Sequence, residues 1–159
     1  MFGLFKKKAS IVVAAVSGEL IPIDQVEDEV FSQKMMGEGY AIQPTTKKVY
    51  APVKGKISTI FPTKHAIGIT TQEGLEVLVH LGIDTVEMNG MPFDITVKLN
   101  EQVNPDTLLG VMDNQQIIES GRKDTVVVVY TNMDKLKHFP TITSQTVEHG
   151  TEIGSLSYK

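Results

Sequence analysis

The sequence of 159 residues is long enough for one globular domain with a substantial hydrophobic core. Its net charge of −4 argues against a general nucleic-acid-binding protein, which would carry a basic field. No apolar run approaches the roughly 20 residues that a membrane-spanning helix needs. The absence of cysteine excludes disulfides, thiolate metal sites and thiol nucleophiles, and it is consistent with a cytosolic protein.

The amino-terminal stretch MFGLFKKKAS combines two phenylalanines with three lysines. A signal peptide carries its charge ahead of a longer apolar segment, so this stretch does not fit one. We expect residues 1–10 to form a basic, apolar and flexible tail, which could also touch an anionic membrane surface. A single domain is then expected at residues 11–159.

Most of the remaining chain is predicted to form short β-strands, because β-branched residues are frequent and Gly, Pro, Asp and Asn separate the runs. The predicted strand segments are residues 11–23, 40–44, 47–53, 55–61, 66–71, 75–82, 93–99 and 124–132.

Only three short windows have a helical pattern, at residues 24–35, 114–121 and 134–139. Longer amphipathic helices, which a βαβ arrangement would place between strands, are missing. The pattern therefore predicts an all-β fold, an antiparallel β-sandwich or barrel with a few short helices.

A faint internal repeat supports this fold class. VNPDTLLG at residues 103–110 and VEHGTEIG at residues 147–154 share a Val, a Thr and a final Gly at matching positions, 44 residues apart. We interpret the repeat as a duplicated turn and strand, without further functional meaning.

Two of the four histidines, His65 and His80, lie on strand-like segments on either side of a turn. If residues 72–73 form a two-residue loop, His65 pairs with His80 and Ile67 pairs with Leu78. Directly opposed residues share a face of a sheet, so the two imidazoles would be neighbours. A loop longer by one residue would change this register.

Alternation along the second strand separates its two faces. Five apolar residues are predicted to face the core: Leu75, Val77, Val79, Leu81 and Ile83. His80 then faces away from the core beside Leu78, and Ile67 is expected to add to this apolar rim. Thr63 lies two residues before His65, where its hydroxyl could hydrogen-bond the ring and fix a tautomer.

Histidine can act as a metal ligand, a general base or a nucleophile toward phosphorus. A catalytic zinc site usually has three protein ligands, and only two are evident here. The chain has neither a nucleophile elbow nor a Gly-rich phosphate loop. An exposed histidine with a free ring nitrogen, a second imidazole and an apolar rim suits a carrier of phosphoryl groups.

The segment GLEVLVHLGIDTV, residues 74–86, resembles the phosphorylation-site signature of the glucose-type enzyme IIA of the bacterial sugar phosphotransferase system. Residues 17–42, 51–67 and 127–134 are similar to the same family. The resemblance covers the chain from about residue 11. It implies a fold of the duplicated hybrid motif type, and the start MFGLFKKK is similar to that of a free-standing member.

The resemblance also implies a mechanism. His80 would accept a phosphoryl group through Nε2 from the phosphohistidine of the carrier HPr and pass it to a cysteine of an enzyme IIB during sugar uptake. His65 would assist the onward transfer, with Thr63 hydrogen-bonded to it. The carbonyl of Gly82 would hold His80 Nδ1–H. No cofactor is implied.

The family's partner-docking surface corresponds to seven positions here: Asp28, Phe31, Phe61, Ile67, Leu78, Asp84 and Val86. A monomer located in the cytoplasm, transiently at the inner face of the membrane, suits such a carrier. Further enzymes or transporters could be regulated by it.

Two other hypotheses are compatible with parts of the sequence. Lys135, in NMDKLK, could be the modified lysine of a lipoyl- or biotinyl-type carrier, although that role requires the tip of a tight hairpin. Alternatively, His65 and His80 could bind zinc, either in a regulatory or peptidase-like module or together with a carboxylate from a partner.

Overall fold

A computed structural model describes residues 9–159. These residues form fourteen short strands. The strands are β1 Ala9–Val13, β2 Gly18–Pro22, β3 Glu38–Pro44, β4 Lys48–Tyr50, β5 Gly55–Ile60, β6 Ala66–Thr70, β7 Glu76–Ile83, β8 Phe93–Ile95, β9 Gln102–Val103, β10 Leu108–Met112, β11 Lys123–Tyr130, β12 Leu136–His138, β13 Gln145–Val147 and β14 Glu152–Tyr158.

The strands of this described part of the chain are arranged in three antiparallel sheets. The largest has eight strands in the order β13-β2-β3-β11-β7-β6-β5-β9, and two three-stranded sheets have the orders β1-β14-β12 and β4-β10-β8. The predicted fold class, an all-β antiparallel sandwich with few short helices, is confirmed.

The helices of residues 9–159 are short. They are α1 Glu29–Ser32, α2 Asn114–Glu119 and 3-10 turns at Ile23–Gln25, Thr85–Met88 and Met133–Lys135. The prediction of a helix at residues 134–139 is wrong, because strand β12 forms there and pairs with β14, so long-range pairing overrides the local preference. None of the helices in residues 9–159 has the length and hydrophobicity that a membrane crossing requires.

The eight-stranded sheet is covered on both faces in its centre. Along β11, Val126 and Val128 belong to the main core, whereas Val127 and Val129 belong to a second, smaller cluster on the opposite face. Because successive side chains of a strand point to opposite faces, the uninterrupted valine run fits a strand that is buried on both sides. The second cluster also contains Phe31 of helix α1.

The internal repeat corresponds to two turns of the same construction, one between β9 and β10 and one between β13 and β14. In the first, Thr107 N–H donates to the carbonyl of Asn104, and Thr107 Oγ1 accepts from Asn104 N–H at 3.0 Å. In the second, Thr151 makes the same two hydrogen bonds with Glu148. The shared threonine therefore marks a shared turn geometry.

The first strand begins slightly earlier than the predicted domain. Ala9 pairs with Ser157 of β14, two residues before the predicted boundary at residue 11. The rest of the predicted tail, residues 1–8, lies outside the described residues.

Candidate functional site

His80 lies in the middle of β7, with Ala66 of β6 and Val127 of β11 opposite it on the two neighbouring strands. Directly opposed residues share a face. Since Val127 belongs to the second cluster, His80 stands on the face of the sheet opposite the main core. This agrees with the predicted alternation, and the side chain is partly exposed.

The ring of His80 is fixed by its own strand. His80 Nδ1 lies 2.7 Å from the carbonyl oxygen of Gly82. Gly82 has φ +80°, and an added Cβ would lie 2.5 Å from Cγ2 of Thr85 and 3.0 Å from the carbonyl oxygen of Lys123. Because an L-residue is strained at this φ and the space is filled, the position requires glycine.

Strand β11 has a bulge opposite this glycine. The pairing shifts between Lys123 and Val126, so two residues of β11 face Gly82. Beyond the irregularity the predicted alternation fails, since Ile83 packs in the second cluster and not in the main core. Gly82, with φ +80° on β7 itself, turns the strand between Leu81 and Ile83, which explains the error.

The predicted register of the β6–β7 hairpin is wrong by one residue. Ala66, not His65, lies opposite His80, and Ile67 lies opposite Val79. The connecting turn is longer than two residues: Thr71 N–H donates to the carbonyl of Leu75 at 2.9 Å. The extra residue shifts every pair along the hairpin.

The two histidine rings nevertheless meet. His65 lies just before β6, after Lys64 in a left-handed conformation with φ +59°. Its carbonyl accepts a hydrogen bond from Leu81 N–H at 2.7 Å. The centroids of the His65 and His80 rings are 5.1 Å apart at an interplanar angle of 79°. The turn before the strand thus brings the His65 ring to the His80 face despite the shifted register.

Thr63 is hydrogen-bonded to His65, as the spacing had indicated. Thr63 Oγ1 lies 2.6 Å from His65 Nδ1. Burial lowers the pKa of His65, which is 6% exposed. At neutral pH this imidazole is uncharged, and one of its nitrogens is occupied by the threonine hydroxyl.

The pKa of His80 is lowered to about 4. Desolvation is the largest cause and the nearby His65 adds to it, whereas the hydrogen bond to Gly82 and the charge of Asp28 act in the opposite direction. The ring is therefore neutral at neutral pH. Because a carbonyl oxygen only accepts, His80 Nδ1 must carry the proton, and Nε2 keeps its lone pair.

Two phenylalanines pack against the histidine pair, one on each ring. The ring of Phe31 packs edge-on against His80 with centroids 5.0 Å apart, and the ring of Phe61 packs edge-on against His65 at 5.2 Å. Asp28 begins helix α1 by accepting a hydrogen bond from Val30 N–H, which sets the position of Phe31.

Five of the seven predicted docking residues are exposed or partly exposed in the structure, and two are buried. Asp84 and Val86 are exposed in the turn after β7, while Asp28, Phe61 and Leu78 are partly exposed near the histidines. The placement of Ile67 on this surface is wrong. The one-residue shift turns its side chain into the main core, where it is fully buried. Phe31 is only 4% exposed, and its ring packs against that of His80.

A sequence profile of the family described as phosphoenolpyruvate-dependent sugar phosphotransferase system, EIIA 1, matches residues 10–136. The chain belongs to this family. Its role is that of a phosphocarrier component of the sugar phosphotransferase system.

Relatives of this enzyme IIA agree with the assignment. The glucose-specific EIICBA component of Streptococcus pneumoniae is 45% identical over 133 residues, which are 84% of this chain and 18% of that protein. The glucose-specific EIIA component of Halalkalibacterium halodurans is 41% identical over 147 residues, 87% of this chain and 85% of that protein. The glucose permease IIA of Mycoplasma capricolum superposes with a TM-score of 0.84 at 35% identity, covering 93% of this chain and 96% of that structure.

The alternative hypotheses receive no support from this enzyme IIA structure. Within residues 9–159, no group of three or more His, Asp or Glu side chains is arranged to hold a metal ion. Lys135 ends a 3-10 turn and its side chain lies against the turn at Gly74, so it is not at the tip of a hairpin.

Sequence reasoning missed one residue near the site. Arg122, the single arginine of the chain, donates from Nε to the carbonyl of Asp84 at 3.0 Å and pairs with Glu87 at 2.7 Å. It thereby braces the turn that follows His80. No spacing pattern predicts this contact, because it joins residues 38 positions apart.

Proposed function

We propose that His80 is the phosphoryl acceptor and that Nε2 is the nucleophile. The observation that carries this proposal is the hydrogen bond between His80 Nδ1 and the carbonyl of Gly82. It holds the neutral ring in the tautomer with an unprotonated Nε2, and the lowered pKa keeps this form populated at neutral pH. An unprotonated imidazole nitrogen is a nucleophile toward phosphorus without further activation.

In the first step, the lone pair of His80 Nε2 attacks the phosphorus of a donor phosphohistidine. A new N–P bond forms while the donor N–P bond breaks, and its electron pair returns to the donor ring. In the second step, a cysteine thiolate of the acceptor attacks the same phosphorus, and His80 recovers its lone pair. Neither step needs a cofactor, since positioning and charge stabilisation dominate phosphoryl transfer.

His65 serves as a positioned hydrogen-bond donor in this scheme. If the Thr63 hydroxyl donates to His65 Nδ1, the proton of the neutral ring resides on Nε2. Because the two rings are adjacent, this N–H can donate to an oxygen of the phosphoryl group on His80. His65 would then assist the release of the phosphoryl group to the acceptor, and Thr63 would set its tautomer.

The partners follow from the family. We infer that the donor is phosphorylated HPr and that the acceptor is the enzyme IIB of a sugar permease. The S. pneumoniae relative is named as an EIICBA component, and the letter B beside A in this name supports an enzyme IIB as the partner. Since the relatives are named glucose-specific, glucose is the first sugar to test. The chain would work as a single enzyme IIA domain in the cytoplasm, as a monomer that reaches the inner face of the membrane when it meets the permease.

The docking face in this proposal consists of the exposed or partly exposed residues around the histidines: Asp28, Phe61, Leu78, Asp84 and Val86. Val30, 42% exposed on α1, extends its apolar part. An apolar surface with two carboxylates at its edge fits partners with an apolar patch bordered by basic residues.

The test uses three variants with HPr phosphorylated by enzyme I, followed by enzyme IIB. We expect His80→Gln to accept no phosphate. His65→Gln should accept phosphate but transfer it poorly to enzyme IIB. His138→Gln is the matched control, since His138 is exposed in β12 outside the site. Normal labelling of His80→Gln would refute the assignment.

A further inference from the structure

A groove of about 680 Å³ lies away from the histidine pair, at the other end of the β6–β7 hairpin. Its walls include Ile11 and Val13 of β1, Leu156 of β14 and Leu75 in the turn before β7. Leu75 is five residues from His80 along the chain, which corresponds to about 17 Å along an extended strand. The volume of the groove is in the range of sites that bind small organic ligands.

One buried group in the wall of this groove lacks a partner. Tyr130, at the end of β11, is 1% exposed, and its hydroxyl has no hydrogen-bond partner among the described residues. Its ring is fixed by edge-on packing against Phe139 at 5.2 Å. Burial raises the pKa of Tyr130, so the hydroxyl keeps its proton and is available as a donor. A buried donor without an acceptor is unfavourable, and a ligand oxygen would relieve it.

The rim of the groove carries positive charge. Lys54 and Lys56 are exposed lining residues, and neither has an ion-pair partner in the described part of the chain. Glu73 is the one acid among the lining residues that the structure describes, and it is engaged in an interaction of its own. The two lysines therefore leave a local excess of cations beside an apolar groove.

From these three features we infer that the groove binds a small organic carboxylate with an apolar, ring-sized body and an oxygen at its far end. The body would pack against Ile11 and Val13 of β1 and Leu156 of β14, the carboxylate would pair with Lys54 and Lys56, and the far oxygen would accept a hydrogen bond from Tyr130. This site is separate from the proposed phosphoryl acceptor and does not depend on that assignment.

The test is a titration of the full chain, isotopically labelled, with 3-(4-hydroxyphenyl)propionate, followed by NMR. We expect saturable shifts of the amides of Ile11, Leu75 and Leu156. Two comparison compounds each remove one feature: 3-phenylpropionate lacks the far oxygen, and 3-(4-hydroxyphenyl)propanol lacks the charge. Each should bind several-fold more weakly than the parent compound, because each loses one interaction.

Variants connect each feature with its residue. Tyr130→Phe should weaken binding of the hydroxylated acid by about two- to tenfold, the range of one neutral hydrogen bond, and should leave 3-phenylpropionate unaffected. Lys54→Gln combined with Lys56→Gln should weaken both acids by about two- to fivefold, the range of an exposed ion pair. Lys98→Gln, an exposed lysine outside the groove, is the matched control.

Several outcomes would overturn the inference. These are the absence of saturable shifts, equal binding of the propanol, or variants that bind like the wild type. The octapeptide MFGLFKKK, which corresponds to residues 1–8, is a competitor. If it binds this groove more tightly than the carboxylate, the occupant is the amino terminus of the chain and the inference is wrong.

Discussion

His80 and Gly82 are joined by a hydrogen bond of 2.7 Å that runs from a ring nitrogen to a backbone carbonyl two residues further along the same strand. Successive residues of a regular strand do not allow such a contact, because a carbonyl lies in the plane of the sheet and a side chain stands perpendicular to it. The left-handed conformation of Gly82 turns the carbonyl toward the ring. The tautomer of His80 is thus set by a backbone distortion, and the distortion requires a residue without a side chain.

Replacing this glycine should damage both stability and chemistry. In Gly82→Ala the new methyl group would meet Thr85 and the carbonyl of Lys123, so the backbone must move and the carbonyl must leave the His80 ring. We expect a loss of about 2 kcal/mol or more in the free energy of unfolding. Nitrogen chemical shifts of the His80 ring should show a mixture of tautomers, and phosphate acceptance should slow.

Gly121→Ala is the control for this change. Gly121 has a similar φ of +86°, but no atom lies within 4 Å of an added Cβ. The Gly121→Ala variant should therefore lose only about 1 kcal/mol in the free energy of unfolding, the strain of a left-handed alanine. It should leave the His80 ring unchanged. Equal effects of the two substitutions on the ring would contradict the role given to Gly82.

Acid should destabilise the folded protein through His80. Its folded pKa of about 4 lies below the ordinary value of about 6.5 that applies in the unfolded chain. Between these values the unfolded state binds more protons, so stability falls as the pH drops from about 6.5 to about 4 and is independent of this group above that window. Urea midpoints across the window should fall less in His80→Gln than in the wild type.

The lowered pKa of His65 acts in the same direction. The variant carrying both His65→Gln and His80→Gln should therefore have the flattest response to acid, while His138→Gln should follow the wild type. If the wild type and His80→Gln lost stability in parallel, the burial of a neutral imidazole at this position would be disproved.

A buried carboxylate supports the bulge opposite Gly82. Asp124 is 4% exposed and accepts hydrogen bonds from Gln43 Nε2 at 2.7 Å and from Asn114 Nδ2 at 2.9 Å. In Asp124→Asn one carboxylate oxygen becomes an NH2 group that faces another donor. We expect a loss of about 1–3 kcal/mol in the free energy of unfolding, measured by urea denaturation.

Asp94→Asn is the matched control, because Asp94 is exposed on β8 and should change the stability by less than about 0.5 kcal/mol. If the bulge determines where the Gly82 carbonyl lies, Asp124→Asn should also broaden the ring resonances of His80. A destabilised variant with an unchanged His80 ring would confine Asp124 to a purely structural role.

The face on which His80 stands was predictable because it depends only on alternation. Val77, Val79 and Leu81 face the main core and His80 faces away, as the apolar pattern of β7 indicates. The resemblance to the enzyme IIA family supplied the interpretation of that face. The hydrogen bond between Thr63 and His65 was also within reach of the sequence, since it joins residues two positions apart.

The register of the hairpin was not predictable, because it depends on how many residues the turn takes. The hydrogen bond from Thr71 N–H to Leu75 closes a longer turn than the two-residue loop assumed. That single difference moved Ile67 from the docking surface to the core. The bulge in β11 and the contact of Arg122 with Asp84 likewise join distant parts of the chain, where local patterns carry no information.

The hydroxyl of Thr63 should control the onward transfer and not the acceptance of phosphate. Thr63→Val keeps the shape of the side chain and removes the hydroxyl, so His65 Nδ1 loses its partner at 2.6 Å and the ring can exchange tautomers. Phosphate acceptance from HPr should remain near the wild-type rate, whereas transfer to enzyme IIB should slow by about tenfold, the cost of one hydrogen bond at the upper end of its range. Thr63→Ser retains the hydroxyl and should restore most of the transfer rate.

Nitrogen shifts of the His65 ring distinguish a tautomer effect from a general loss of structure, because only the former changes this ring while the His80 ring stays as it is. Should Thr63→Val slow both transfers equally with both rings unchanged, the hydroxyl would have no part in orienting His65.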